Sequence, residues 1–278
     1  MSQLFISDLD GTLLNPDSRI SDFTAQTISQ LTDRGALISV ATARTPATVD
    51  ILLRHTRTSI PAIVMTGAAL WHRDTRNYTD VHHIDPHTAA IITDTMRRNG
   101  ITPFIYTIAP DGIIHTYYNG AHTPTSKEQK FIDQRSHLPL KRMHINEPVP
   151  PLATDSPVLI FALGDKKRIY DTAETLRATA QCSVSNYLDI FNTDIAYIEV
   201  FAPGVSKAEA VTRLKESTRA HTLTVFGDNL NDLPMMAVAD VAVAVGNALP
   251  QVREVADVVI DTNATDAVAR YIAENFKE

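Results

Sequence analysis

Leu4-Phe5-Ile6-Ser7-Asp8-Leu9-Asp10-Gly11-Thr12 runs from three apolar residues into two carboxylates one residue apart. The apolar triplet reads as a short buried strand. The acidic residues and Gly11 then fall in the turn that leaves its carboxyl end. In an open α/β sheet, ligands bind beyond the carboxyl ends of the strands. Two carboxylates there suit a hard cation such as Mg²⁺, which takes oxygen ligands and keeps part of its water. The competing reading is an Asp-rich turn whose side chains only cap backbone groups.

The flanking sequence supports the sheet. Residues 23–34 read as a helix with Ala25, Ile28 and Leu31 on one face and Gly35 at its end. Residues 37–41 form a second strand. Thr45-Pro46 opens a helix running to about His55, with proline at the favoured first position. Residues 62–65 form a third strand. This β-α-β-α-β order predicts an α/β fold, a Rossmann-like parallel sheet with helices on both faces. The same rhythm returns after residue 206. Ser206-Lys207-Ala208-Glu209 has the form of a capping box. Strands follow at 222–226 and 241–245, and a final helix carries Ala264, Ala267, Val268, Tyr271 and Ile272 on one face.

The middle differs. Asp85-Pro86 starts a helix that ends at Gly100, and 102–107 and 113–118 flank an Asp111-Gly112 turn as a hairpin. A polar stretch containing Pro148, Pro150 and Pro151 follows, then a strand at 158–163, a helix at about 167–179 and further strand character to Ala202. The expectation is an α+β domain inserted into the first. Trp71 and Tyr78 are expected to pack around a hairpin.

Three further positions stand where the sheet would present them. Thr42, just past the second strand, could donate to a phosphate oxygen beside nearby backbone N–H groups, or simply cap a turn. Lys207 sits in the first turn of its helix, where the dipole disfavours a cation unless an anion is bound; otherwise it is an exposed surface lysine. Gly227-Asp228-Asn229-Leu230-Asn231-Asp232 repeats the pattern of carboxylates after a strand, or is an ordinary turn of Gly, Asp and Asn.

Bulk properties narrow the function. The 278 residues are 44% hydrophobic and 21% charged, ordinary for a globular chain. A net charge of −7 without a basic run disfavours nucleic acid as a partner. No apolar run approaches the ~18 residues of a membrane span, and the N-terminus lacks a signal-peptide pattern, so the expected location is cytoplasmic. The single cysteine, Cys182, reads as a buried thiol in a strand of the inserted region. His82, His83 and His87 lack a recognisable zinc spacing and read as solvated linker residues.

Together these strand-end motifs resemble the haloacid dehalogenase superfamily of phosphotransferases, specifically the Cof-like branch with a type C2 α+β cap. The resemblance rests on Asp8-Leu9-Asp10-Gly11-Thr12-Leu13-Leu14, Ala41-Thr42-Ala43-Arg44, Gly204-Val205-Ser206-Lys207 and Gly227 to Asp232, with Gly246-Asn247-Ala248 and Asn263 to Val268 behind them. It implies a catalytic core over 1–83 and 204–278, with a cap over 84–203 that would close over the substrate. It also implies a Mg²⁺-dependent phosphatase acting on small phosphorylated metabolites such as sugar phosphates or phosphorylated cofactors. By the same resemblance Asp8 is the nucleophile and Asp10 the acid and base. Mg²⁺ is held by the Asp8 side chain, the Asp10 carbonyl and Asp228, with Asp232 behind them, and Thr42, Ala43, Lys207 and Asn231 contact phosphate. The family usually has Gly where Ala43 stands and Asn where Thr66 stands, which bears on substrate preference. Tyr117, Tyr118, Asn119, Asn186 and Tyr187 are candidate leaving-group contacts in the cap. A sugar phosphomutase and a non-catalytic phospho-metabolite sensor are the alternatives, and the assembly is expected to be a monomer or homodimer.

Overall fold

The structure is a computed structural model that describes residues 2–120, 123–152, 155–189 and 192–277. The chain divides into two compact units, Met1–Thr79 with Ser206–Glu278, and Asp80–Val205.

The first unit begins with β1 (Gln3–Ser7), α1 (Asp22–Asp33), β2 (Leu37–Val40), α2 (Pro46–Leu52), β3 (Ala62–Val64), β4 (Ala69–His72) and β5 (Asn77–Thr79). The second unit contains α3 (Pro86–Arg98), β6 (Phe104–Ile108), β7 (Ile114–Tyr118), α4 (Ser126–Arg135), β8 (Lys141–Ile145), β9 (Leu159–Asp165), α5 (Lys166–Thr179), β10 (Ser183–Leu188) and β11 (Ile195–Phe201). The first unit resumes with α6 (Lys207–Thr218), β12 (Thr222–Gly227), α7 (Leu233–Met236), β13 (Val241–Ala244), α8 (Pro250–Val255), β14 (Val258–Val259) and α9 (Ala267–Asn275).

The first unit is built on a parallel sheet in the order β14-β13-β12-β1-β2. β1 lies between β12 and β2, so Leu4, Phe5 and Ile6 are almost wholly buried, as strands covered on both faces require. Helices α1 and α9 pack as one pair and α6 and α7 as another. The third strand departs from expectation. β3 meets the parallel sheet only at one bridge, Ala41 to Ile63, and otherwise pairs antiparallel with β4, which pairs with β5. Trp71 stands opposite Tyr78 in that hairpin and is fully buried. Helix α2 stops at Leu52 rather than near His55, and Arg73 caps the turn that follows, donating to Leu53 O at 2.6 Å and Thr56 O at 2.7 Å. Ala264 lies in a 3₁₀ turn before α9 rather than on that helix.

The second unit carries a six-stranded sheet, β10-β11-β9-β6-β7-β8, antiparallel except for the β7–β8 pair. Helix α4 and strand β8 occupy the polar stretch that reads as featureless in sequence. Few apolar residues of α4 are buried, Phe131 and Ile132 among them, so its periodicity is faint. Its start was nonetheless written in Thr125 and Glu128, a capping box with both bonds made. Cys182 corrects another expectation: it is half-buried in the bend before β10, outside the strand. Tyr117 and Tyr118 are buried, Asn119 is exposed, Asn186 accepts from Arg177, and the partly exposed Tyr187 donates to Glu199. His82 pairs with Asp80 and His83 meets Ser156 O, while His87 is exposed.

Candidate active site

β1 and β12 end side by side, with Asp8 N donating to Phe226 O at 3.0 Å. Parallel pairing therefore carries the chain leaving both strands to the same edge. After Asp8 the backbone makes one wide helical turn over Leu9–Leu13, with Gly11 at φ +79°. That conformation suits glycine. A second reason is local: a Cβ on Gly11 would lie 2.4 Å from Asp228 Oδ2. The absent side chain leaves the space in which the Asp228 carboxylate sits.

Three carboxylates, Asp8, Asp228 and Asp232, each place an oxygen within 4.8 Å of the others. Lys207 is 2% exposed and donates to Asp8 Oδ1 at 2.5 Å and Asp232 Oδ1 at 2.8 Å. It is not the exposed surface lysine its helix position allowed. Two buried anions outweigh the unfavourable dipole at the start of α6 and raise the lysine pKa despite its burial. Ser206 caps that helix by accepting from Glu209 N, one arm of the expected box.

Asp232 is held from both sides, its second oxygen accepting from the amides of Asp228 and Asn229 at 3.1 and 3.2 Å. Asp228 Oδ1 accepts from Thr12 at 2.9 Å. Burial pushes the Asp8 carboxyl up to about 7 against the pull of Lys207, with Asp232 and Asp228 adding repulsion. Burial likewise raises Asp228 to about 6, opposed by the Thr12 hydrogen bond. Crowded hard oxygens that resist ionising together fit a divalent cation, which relieves their repulsion and desolvation. Asp8 and Asp228 each have one oxygen outside these hydrogen bonds and could serve as ligands, while both oxygens of Asp232 are already engaged.

Asp10 sits apart from this cluster. Its side chain is 52% exposed and is gripped by Arg44 in a two-pronged ion pair, Nε to Oδ2 at 2.7 Å and Nη2 to Oδ1 at 2.6 Å. Thr42 is buried, and its hydroxyl oxygen accepts from Arg44 N at 3.1 Å. This is the turn-capping contact, and it leaves the hydroxyl proton available. Ala43 is exposed in the same turn. Asn231 is exposed beside the buried Asp232. Thr66 adopts φ +58°, a conformation costly for a β-branched residue and easier for Asn, and donates its amide to Thr42 O. Its hydroxyl is buried without a partner.

Arg44, Thr12, Asn247 and Asn263 were not given roles from sequence, although each lies in a motif noted there. Asn247 donates to Gly11 O and accepts from Asn263 N, and Asn263 donates to Leu14 O, so the C-terminal motifs brace the loop after β1.

Comparison with known proteins agrees with this geometry. The sequence model of the haloacid dehalogenase-like hydrolases matches residues 5–272. A 5-amino-6-(5-phospho-D-ribitylamino)uracil phosphatase of Bacillus subtilis is 27% identical over 97% of this chain and 94% of its own length. The pyridoxal phosphate phosphatase of Escherichia coli is 22% identical over 95% of each chain. A haloacid dehalogenase-like hydrolase from Bacteroides thetaiotaomicron superposes with a TM-score of 0.76 at 21% identity, covering 99% of this chain and 100% of that one. The chain belongs to the haloacid dehalogenase-like hydrolases.

Proposed function

We propose that this hydrolase is a Mg²⁺-dependent phosphatase of small phosphorylated metabolites, working through a phosphorylated Asp8. Residues 1–83 and 204–278 are taken as its catalytic core and 84–203 as an inserted cap domain. The observation that carries the reading is the buried Asp8 held by Lys207 beside Asp228 and Asp232. The phosphatases of B. subtilis and E. coli named above act on a ribitylaminouracil phosphate and on pyridoxal phosphate, which supports a leaving group of metabolite size.

In this reading an Asp8 carboxylate oxygen attacks phosphorus and the ester oxygen leaves with a proton from Asp10. Asp10 then takes a proton from the water that attacks the phosphoryl group, releasing phosphate and restoring Asp8. Asp8, the Asp10 carbonyl and Asp228 would hold Mg²⁺, which when bound offsets the charge of the transferring group. Lys207 keeps Asp8 oriented and, with the Thr42 hydroxyl, the Ala43 turn and Asn231, serves the non-bridging oxygens. Asp232 fixes Lys207 and the Asp228 loop. Arg44 sets the position of Asp10, and its fork must slacken when Asp10 carries a proton.

The test is phosphate release from a panel of metabolite esters, with Mg²⁺ or chelator, in the natural protein and in Asp8→Asn. Mg²⁺-dependent release that disappears in the variant is expected. Isomerised ester without free phosphate would instead indicate a mutase, and tight ester binding without turnover would indicate a sensor.

A further inference from the structure

Between β3 and β4 the chain takes three left-handed residues in a row, Met65 at φ +50°, Thr66 at +58° and Gly67 at +99°. Only glycine adopts such backbone freely, so a run of this kind persists only where its surroundings hold it. Two neighbours do so, both in the first unit. On one side the amides of Met65 and Thr66 donate to the carbonyls of Arg44 and Thr42, at 3.0 and 2.9 Å. Thr42 N in turn donates to Ile63 O at 3.0 Å, so the turn that carries the Thr42 hydroxyl is tied to β3 and to this loop.

On the other side Gly67, itself buried, lies against the start of α6. A Cβ on Gly67 would stand 2.4 Å from Ser206 O, 2.9 Å from Ser206 C and 3.0 Å from Ala210 Cβ. Ser206 O is the first acceptor of α6, taking Ala210 N at 3.1 Å, and Lys207 follows Ser206 directly. The contact is backbone against backbone and one short methyl, with no flexible side chain to give way. Ordinary contact begins near 3.4 Å, so a methyl on Gly67 would drive Ser206 off by about 1 Å. Close-packed interiors pass such a displacement on rather than absorb it.

We propose that Gly67 is a positioning residue for the phosphatase chemistry, its missing side chain setting the gap between Thr42 and Lys207. The inference rests on the reading that these two groups serve the non-bridging oxygens of the phosphoryl group. It adds that their spacing is fixed by the backbone of a third segment, Met65-Thr66-Gly67, tied to Thr42 at one end and seated under Lys207 at the other. A misplacement of 1 Å can cost about 10²-fold in rate even when the substituted residue lies away from the reacting atoms.

The experiment compares two glycines with nearly the same backbone and different surroundings. Gly35, after α1, has φ +96°, and nothing lies within 4 Å of the position its Cβ would take. Gly35→Ala therefore carries the strain of a left-handed alanine alone, and Gly67→Ala carries that strain together with the clash. The melting temperature should fall in both. Turnover should stay at the natural kcat in Gly35→Ala and fall about 10²-fold in folded Gly67→Ala. A crystal structure of Gly67→Ala should show the Thr42 hydroxyl and the Lys207 ammonium about 1 Å further apart than in the natural protein. Should Gly67→Ala not fold, Ala210→Val wedges the same contact from the helix side without backbone strain and is read in the same way. Natural kcat in the wedged variant, an unchanged separation, or an equal loss of kcat in Gly35→Ala each overturns the inference. If the natural protein releases no phosphate from any ester, the phosphatase reading fails on its own, and the separation in the crystals still decides whether Gly67 sets the gap.

Discussion

Lys207 and Lys141 are both lysines withdrawn from water, one in each unit, and they reach opposite electrostatic outcomes. Lys207 meets two carboxylates, and its pKa rises. Lys141 meets an aromatic ring and the charge of Arg135, and burial with that charge lowers its pKa to about 7. Burial acts downward on both, so the difference lies entirely in the neighbours. The first lysine is a finished part of a site. The second has no carboxylate partner among the described residues.

The largest expected effect comes from removing the finished partner. Lys207→Met leaves Asp8 and Asp232 buried without their cation and should destabilise the fold by about 3–5 kcal/mol, measured by urea unfolding, with phosphate release lost as well. Unchanged stability would mean the two acids are satisfied without it. Arg44→Ala keeps Asp10 but frees it, and should lower kcat by about 10²-fold. Because that pair is half-exposed, stability should move by no more than about 1 kcal/mol. A full loss of stability together with activity would make Arg44 structural.

Lys141→Met should act in the reverse direction to Lys207→Met and raise stability by about 1–3 kcal/mol, since it removes a largely buried amine that no carboxylate among the described residues pairs. The sign follows from proton linkage. The folded-state pKa lies below the unfolded value, so the lysine's penalty is full below about 7 and fades as pH rises toward 10.5. The gain in the variant should therefore shrink over that interval, and a gain independent of pH would remove charge as its cause.

The smallest effect concerns the carboxylates. Asp8 and Asp228 are raised to about 7 and about 6, so folding favours their protonated forms. In chelator, stability should decline modestly as pH climbs from about 4 through these values, and added Mg²⁺ should recover it at pH 7.5. A thermal melt series with and without Mg²⁺ measures both, and a metal-free protein that gains stability over the same interval would contradict the crowding of these acids.

The same contrast explains what could be read from sequence. Every residue around Lys207 stands at a strand end or helix start, where turn chemistry and periodicity are explicit. Asp8, Lys207, Asp228 and Asp232 could thus be named before their contacts were seen. The Arg44 fork was harder, because a sequence gives neighbours along the chain and not the rotamer that reaches back across to Asp10. Lys141 was invisible. Its significance depends on strand register and on α4, and α4 buries too few apolar residues to announce itself. The short strand β14 and helix α8 escaped for a similar reason: two and six residues are too few to establish a period.

The pairing of β1 with β12 also governs the order in which the protein can be made. β1 is finished within the first seven residues, but its partner on one side is not complete until Gly227. On a ribosome adding ~5–20 residues per second, β1 waits roughly 10–40 s for that edge. The second unit is one unbroken segment, so every strand of its sheet is made by Phe201, before β12 begins. During synthesis the apolar strand with the proposed nucleophile at its end would remain exposed longest, and a chain released before Gly227 would hold a complete second sheet but no closed site.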